Sequence, residues 1–271
     1  QSVYSGVMQP YRLSQGEAPV LVSVPHAGLE VSKDILARFT PEARLLADTD
    51  WHVDRLYDFA ADLGCSMLVA THSRYVVDLN RPPDDSNLYP GQDTTGLVPI
   101  DTFDGRPIYI NDLHPDMAET FARIDAYWRP YHQALEDELE RLRARHGHAV
   151  LWEAHSIRSR VPRFFEGRLP DLNIGTADGA ACAPDLAARV VETAERAGGD
   201  YTQICDGRFK GGYSPRAYGR PAEGWHAIQL ELAQATYMDE APPFAYAEEE
   251  ATQLQATLRP MLETAIDWRP K

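Results

Sequence analysis

The feature that most constrains this chain is a set of short apolar runs that each stop at a polar, chemically reactive side chain. Residues 20–24 run into Pro25 and His26, and residues 149–152 lead to His155. Runs of this length are too short for core helices and are typical of strands buried on both faces. Segments with helical spacing separate them, so we expect an α/β fold with three layers: a central, mostly parallel or mixed sheet with helices on both faces.

Sequence patterns also place the individual elements. Strands are predicted at 20–24, 66–70, 149–152, 173–176 and 227–232, with short β-prone segments at 75–78 and 108–110. Helices are predicted at 41–63, 115–145 with an interruption near Pro130, 184–197 and 247–266. Residues 82–105 form a long Gly/Pro/Asp-rich loop, and loops of that length are usually functional or disordered. No shift in composition marks a boundary, so a single domain over residues 1–271 is expected.

Composition narrows the classes of function. The chain has 26 Lys and Arg against 41 Asp and Glu, a net charge of -15, which argues against nucleic-acid binding and requires a local cationic pocket for any anionic substrate. Three scattered cysteines argue against a disulfide framework. With no apolar run long enough for a membrane span and no amino-terminal signal pattern, a cytoplasmic protein without membrane contacts is expected. The oligomeric state stays open.

Two histidines are candidate metal ligands. His26 and His155 each follow an apolar strand, and the carboxyl ends of parallel strands meet at one edge of a sheet. Neutral imidazole is the commonest protein ligand for transition metals. A single histidine after a strand is more often a hydrogen-bonded structural residue, but two such endings in one chain favour a shared site.

A third ligand is expected to be acidic, because two histidines and one carboxylate leave a zinc ion with an open position for water. Asp50 is the preferred candidate, and the alternatives are Asp48, Asp54 and Glu30. Carboxylates at the start of a helix can instead be exposed groups that stabilise the helix through its dipole and bind no metal. However, apolar residues alternate with these acids, which indicates that this segment is partly buried and favours the metal-ligand interpretation.

Further polar residues complete a candidate active site. Glu231 lies inside an apolar strand, where a carboxylate is rarely buried without a partner, so it is a general base, part of a salt bridge or a residue of an edge strand. Asn80 and Arg81 precede two prolines and could recognise a substrate carboxylate, or Arg81 could pin the long loop. Arg208 and Tyr213 offer a second cation and a hydroxyl around a Gly-Gly pair. The sequence lacks a His-Glu-x-x-His motif, a Gly-x-Ser-x-Gly elbow, a phosphate loop and a dinucleotide-binding glycine pattern.

Six motifs in order resemble those of the N-formylglutamate amidohydrolase family. They are SVPHAG from residue 23, DTDWHVD from 48, DLNR from 78, HS at 155, GRFKGGY from 207 and QLE from 229. The resemblance implies the phosphorylase/hydrolase-like α/β fold shared with zinc carboxypeptidases. It also implies hydrolysis of N-formyl-L-glutamate to glutamate and formate in histidine degradation.

The same resemblance implies roles for the candidate residues. Zn²⁺, or another divalent transition metal, would be held by His26, an acid and His155, while Glu231 acts as the base. Carboxypeptidases carry their acidic ligand in His-x-x-Glu, but here Glu30 stands four residues after His26, so we assign the acid to Asp50.

Substrate recognition follows from the remaining residues. Asn80 and Arg81 would bind a substrate carboxylate, Arg208 would bind a second one, and residues 82–105 would close over the site. Two alternatives remain. One is a related metallo-deacylase or carboxypeptidase that acts on another N-acyl amino acid, and the other is a non-catalytic protein that binds a small ligand on the same scaffold.

Overall fold

A seven-stranded sheet organises the chain. The structure is a computed structural model that describes residues 9–271, so residues 1–8 of the predicted domain lie outside the described part. The strands are β1 (Tyr11–Ser14), β2 (Val20–Val24), β3 (Ser66–Ala70), β4 (Ala149–Ile157), β5 (Leu172–Gly175), β6 (Gln203–Cys205) and β7 (Trp225–Ala233). Their order across the sheet is β1-β3-β2-β4-β7-β5-β6.

The sheet is mixed, as predicted. Its centre is parallel, because β3, β2, β4 and β7 run in the same direction. β1 pairs antiparallel with β3, and β5 pairs antiparallel with β7, while β6 runs parallel to β5. The carboxyl ends of the four central strands therefore share one edge, which is where ligands bind in open α/β sheets.

Helices cover both faces of the sheet, which confirms the predicted three layers. The helices are α1 (Lys33–Leu36), α2 (Val53–Leu56), α3 (Met117–Arg123), α4 (Arg129–His146), α5 (Pro184–Arg196), α6 (Tyr213–Tyr218) and α7 (Glu248–Asp267). Alternate strand residues point to opposite faces. Trp152 packs in one core with α2, α5 and α7, and Leu151 packs in the other with α4 and α6. No helix within residues 9–271 is long and apolar enough to cross a membrane.

The predicted helix at 41–63 is wrong. The structure has a 3-10 turn at Ala43–Leu45, the short α2 and a second 3-10 turn at Asp58–Ala60. Leu46 and His52 adopt left-handed backbone conformations with φ of 51° and 61°, which an α-helix does not tolerate. The acidic segment, residues 48–54, therefore lies mainly in an irregular connection. Its backbone turns towards the end of β2.

Other predictions differ in detail. The short strand predicted at 75–78 is absent, since residues 74–76 form a turn and 77–78 are irregular, and the one at 108–110 is reduced to an isolated bridge between Tyr109 and Phe39. The predicted interruption near Pro130 is present as a π-helical segment, Ile124–Trp128, between α3 and α4. β4 extends five residues beyond the predicted end at 152, so His155 lies within the strand and does not follow it.

Candidate functional site

The structure brings His26, Asp50 and His155 together at the carboxyl edge of the sheet. Each is buried, and each offers a ligand atom within 4.8 Å of the other two. His26 follows β2, its neighbour β4 carries His155, and the Asp50 amide donates a hydrogen bond of 3.0 Å to the His26 carbonyl oxygen. Gly28 permits this turn, since a Cβ there would lie 2.3 Å from the His72 carbonyl oxygen.

The Nδ1 atoms of both histidines face one carboxylate oxygen. His155 Nδ1 lies 2.9 Å from Asp50 Oδ2, and His26 Nδ1 lies 3.6 Å from the same oxygen. The His26 Nδ1 atom is buried and has no hydrogen-bond partner in the described part of the chain. An unpartnered imidazole nitrogen beside a second imidazole and a carboxylate is a donor set that suits zinc.

Two further charged residues hold these groups in place. Asp78 Oδ1 lies 2.6 Å from His26 Nε2, on the opposite side of the ring from Asp50. Arg74 donates to Asp78 Oδ2 at 2.8 Å and reaches Asp50 Oδ1 at 3.5 Å. Sequence reasoning gave neither Arg74 nor Asp78 a role; the four-residue spacing between opposite charges just before Asn80 was the available signal.

The electrostatics of the site favour a cation. Burial opposes ionisation of Asp50, but the charges and hydrogen bonds of His26 and His155 hold its pKa below the usual value. The pKa of Asp78 is also lowered, because His26 and Arg74 outweigh the effect of burial. Burial lowers the pKa of His155, but the hydrogen bond with Asp50 and the nearby carboxylates raise it to about 10. A buried group of ionised carboxylates therefore attracts positive charge.

The alternative acids lie elsewhere. Asp48 is buried, but its Oδ2 accepts hydrogen bonds from the Tyr75 hydroxyl at 2.6 Å and the Phe103 amide at 2.8 Å. Asp54 forms an exposed ion pair with Arg12, and Glu30 is exposed to solvent. Asp50 is thus the acid that the structure groups with the two histidines.

Glu231 lies beside this centre. It is the direct partner of His155 across the parallel strands β4 and β7, and its side chain is 8% exposed, towards the cleft. Burial raises its pKa to about 7, with Asp50 adding to the effect and His155 opposing it. A carboxylate with a pKa near neutrality can accept and return a proton at physiological pH.

A cleft opens in front of these residues, and two arginines line it. In residues 9–271, neither Arg81 nor Arg208 forms an ion pair with a carboxylate. Arg81 Nε donates to the Thr95 carbonyl oxygen at 2.9 Å, and Arg208 Nε donates to the Phe164 carbonyl oxygen at 2.7 Å. These bonds fix both guanidinium groups and leave them without a carboxylate in ion-pair contact. The cleft is also lined by Arg74, Asn80, Tyr89, Phe103, Phe209 and Gln229.

Asn80 is buried at the back of the cleft, and both the oxygen and the nitrogen of its side-chain amide have partners within the protein. Its Oδ1 accepts from the Ser214 amide at 2.9 Å, and its Nδ2 lies 3.1 Å from both Gln229 Oε1 and His155 Nε2. Gly212 is required beside it, since a Cβ there would lie 2.4 Å from Asn80 Nδ2. Asn80 thereby connects the site to the start of α6.

The structure does not bring Tyr213 to the cleft. As the first residue of α6 its ring lies against Trp128 and His132, with centroids 5.5 Å and 5.3 Å away. Tyr89, from the long loop, lines the cleft and donates its hydroxyl proton to the Gly211 carbonyl oxygen at 2.6 Å.

The long loop, residues 82–105, forms one wall of the cleft. Asp93 and Thr94 line the cleft together with Tyr89. Asp93 also pairs with Arg163 at 2.8 Å, which ties the loop to the segment after β4. The predicted loop is present, and it is attached to the site at several points.

Comparison with known proteins relates the chain to one family over most of its length. Residues 18–238 match the model of the N-formylglutamate amidohydrolase family. The chain is 51% identical over 254 residues to an N-formylglutamate deformylase of Pseudomonas aeruginosa, with 94% of this chain and 95% of that protein covered. It is 50% identical to the corresponding protein of Pseudomonas putida, with 94% of each covered. The crystal structure of N-formylglutamate amidohydrolase from Ralstonia eutropha superposes with a TM-score of 0.80 at 30% identity, covering 95% and 97% of the two chains.

Proposed function

Because this chain belongs to the N-formylglutamate amidohydrolase family, we propose that it hydrolyses N-formyl-L-glutamate to L-glutamate and formate. The observation that carries the proposal is the composition of one cleft. It combines a buried His-Asp-His group, an adjacent carboxyl group with a raised pKa and two guanidinium groups without carboxylate partners. A small dicarboxylate that carries an amide matches each of these features.

The two arginines anchor the substrate. Guanidinium groups bind carboxylates through paired, charge-assisted hydrogen bonds, and Arg81 and Arg208 are each held rigidly by a backbone carbonyl oxygen. Burial lowers the pKa of Arg208, so a bound carboxylate would also relieve the cost of its desolvation. Two fixed carboxylates determine where the amide on the α-carbon lies, which is the main way to orient so short a substrate. Asn80 donates a hydrogen bond to Gln229 Oε1 and so keeps Gln229 in place behind the substrate.

His26, Asp50 and His155 would hold a zinc ion, and Zn²⁺ is the metal we propose. The unpartnered His26 Nδ1 atom and the ionised Asp50 support this assignment. When bound, zinc supplies a Lewis acid for the activation of water and of the formyl carbonyl group. Asp78 and Arg74 keep His26 and Asp50 oriented towards the centre.

Glu231 is the proposed general base. It takes a proton from the attacking water as the water oxygen bonds to the formyl carbon. It then returns the proton to the amide nitrogen as the carbon–nitrogen bond breaks, so that formate and the free amino acid leave. Its position opposite His155 and its pKa near 7 support both transfers.

A substrate panel tests the proposal. Formate release is measured with N-formyl-L-glutamate, with N-formyl-L-glutamine, which has the same size but a neutral side chain, and with N-acetyl-L-glutamate. We expect the first substrate to be preferred over the second by at least about tenfold in kcat/KM, since one charged hydrogen-bonding pair is lost. Cleavage of another N-acyl amino acid without turnover of N-formyl-L-glutamate would replace this function with that of a related deacylase.

The physiological setting is part of the same proposal. Release of glutamate from its formyl derivative fits a step in histidine degradation, and we propose a cytoplasmic location. Free thiols support that location, since Cys65, Cys182 and Cys205 are unpaired in the structure.

A further inference from the structure

A buried carboxylate next to the site has no role in the mechanism above. Glu153 lies in β4, two residues before His155, and its side chain is 0% exposed. Neither of its carboxylate oxygens has a hydrogen-bond partner among residues 9–271. An unsatisfied carboxylate inside a sheet is costly, so its presence calls for a functional explanation.

The groups around Glu153 do not supply a donor. Ser23, its partner in the β2–β4 register, bonds through its hydroxyl to the Tyr131 hydroxyl at 2.8 Å. Gln229, its partner in β7, uses its Oε1 to accept from Asn80, and its amide nitrogen forms no hydrogen bond with Glu153. The nearest imidazole nitrogen is His155 Nε2, 3.6 Å from Glu153 Oε1.

Metal ligation requires neutral His155, and two arrangements of the neutral ring then compete at Nε2. In one, the Asn80 amide donates a hydrogen bond to this nitrogen, and His155 then carries its proton on Nδ1, facing Asp50. In the other, Nε2 carries the proton and donates it to Glu153. The second arrangement satisfies Glu153 and leaves the Nδ1 lone pair directed at the centre shared with His26 and Asp50.

We propose that Glu153 is a positioning residue that accepts the Nε2 proton of His155 and so keeps Nδ1 available as a metal ligand. It would do for His155 what Asp78 does for His26, whose Nε2 lies 2.6 Å from a buried carboxylate. Carboxylates in this position fix the tautomer of a ligating histidine and raise its basicity. This inference rests on the proposed function, because it requires that the centre bind a metal.

Zinc affinity gives the first test, measured by competition with a chromophoric chelator. Glu153→Ala should bind zinc about 10- to 100-fold more weakly than the parent. Glu153→Gln keeps an acceptor oxygen and should lose less. Glu138→Gln is the matched control, since Glu138 is equally buried but contacts Ser66 and Arg141 away from the site, and it should retain parental affinity. Parental affinity in Glu153→Ala would overturn the proposal.

The tautomer gives a second test, which needs no substitution at Glu153. In the zinc-loaded parent with ¹⁵N-labelled histidines, NMR should show His155 protonated on Nε2 and not on Nδ1, with the signal assigned by its loss in His155→Asn. A His155 Nε2 without a proton would overturn this inference and leave the proposed function intact. A parent that binds no zinc would overturn this inference and the assignment of the metal, whereas the proposed hydrolysis is decided by the substrate panel.

Discussion

His155 and Glu231 lie directly opposite each other on the parallel strands β4 and β7. The pairing places a candidate metal ligand and a candidate base on the same face of the sheet, so the backbone register fixes their separation. Both residues point into the layer that α4 and α6 cover, at the edge where the cleft opens. The chemistry proposed for this protein depends on that relationship.

Removal of the proposed base should abolish turnover without loss of the metal. Glu231→Gln keeps the size of the side chain but cannot accept the proton of water, so kcat should fall about 10²- to 10⁴-fold. Metal content should equal that of the parent. Glu250→Gln, an exposed change on α7, serves as the control. A Glu231→Gln variant with near-parental kcat would exclude Glu231 as the base.

The raised pKa of Glu231 should appear in the stability of the chelator-treated protein. The folded state keeps this proton up to about pH 7, whereas an unperturbed glutamate releases it near pH 4.5. Ionisation therefore favours the unfolded chain as the pH rises through this window. Relative to Glu231→Gln, the parent should lose on the order of 1–3 kcal/mol of unfolding free energy between about pH 5 and about pH 8. Urea unfolding of both proteins measures this, and a pH-independent difference would contradict it.

The two arginines should each recognise one substrate carboxylate. Arg81→Ala and Arg208→Ala should each lower kcat/KM for N-formyl-L-glutamate about 10- to 100-fold, mainly through KM, because a charged hydrogen-bonding pair is lost. The arginine that binds the side-chain carboxylate should show a much smaller effect with N-formyl-L-glutamine, which lacks that charge. Arg196→Ala, on the exposed surface of α5, is the control. Near-parental kinetics in either cleft variant would exclude that arginine as an anchor.

The loop formed by residues 82–105 should become more protected when substrate binds. Tyr89, Asp93 and Thr94 line the cleft, so an occupied cleft should reduce opening of the loop. Hydrogen exchange of Glu231→Gln with and without N-formyl-L-glutamate measures this without turnover, and α5 serves as the internal control. Unchanged exchange in the loop would argue against closure over the substrate.

The sequence predicted most of the architecture because apolar runs and helix boundaries are local signals. The boundaries of β2 and β3 agree with the prediction, and α5 and α7 agree within one residue. The helix expected over 41–63 failed because long-range contacts override local propensity there. The Asp50 amide bonds to His26, and the backbone at His52 is left-handed.

Site residues that lie at or near the end of a strand could be predicted from the sequence. Site residues that meet only when distant segments fold together could not. His26 and His155 could be anticipated from the ends of apolar runs, and the structure groups them with Asp50. The contact between Asp78 and the His26 ring, and the proximity of Glu153 to His155, depend on how side chains pack in the folded protein. The spacing of residues along the sequence does not encode these positions. Tyr213 faces α4 because it begins a helix whose orientation the sequence does not reveal.

Metal dependence tests the central claim most directly. The purified protein is subjected to elemental analysis, and formate release from N-formyl-L-glutamate is followed before chelation, after chelation and after zinc is restored. We predict about one zinc per chain, loss of turnover on chelation and recovery with zinc, because a single His-Asp-His group would hold the ion. Full turnover in a protein that contains no metal would contradict the account.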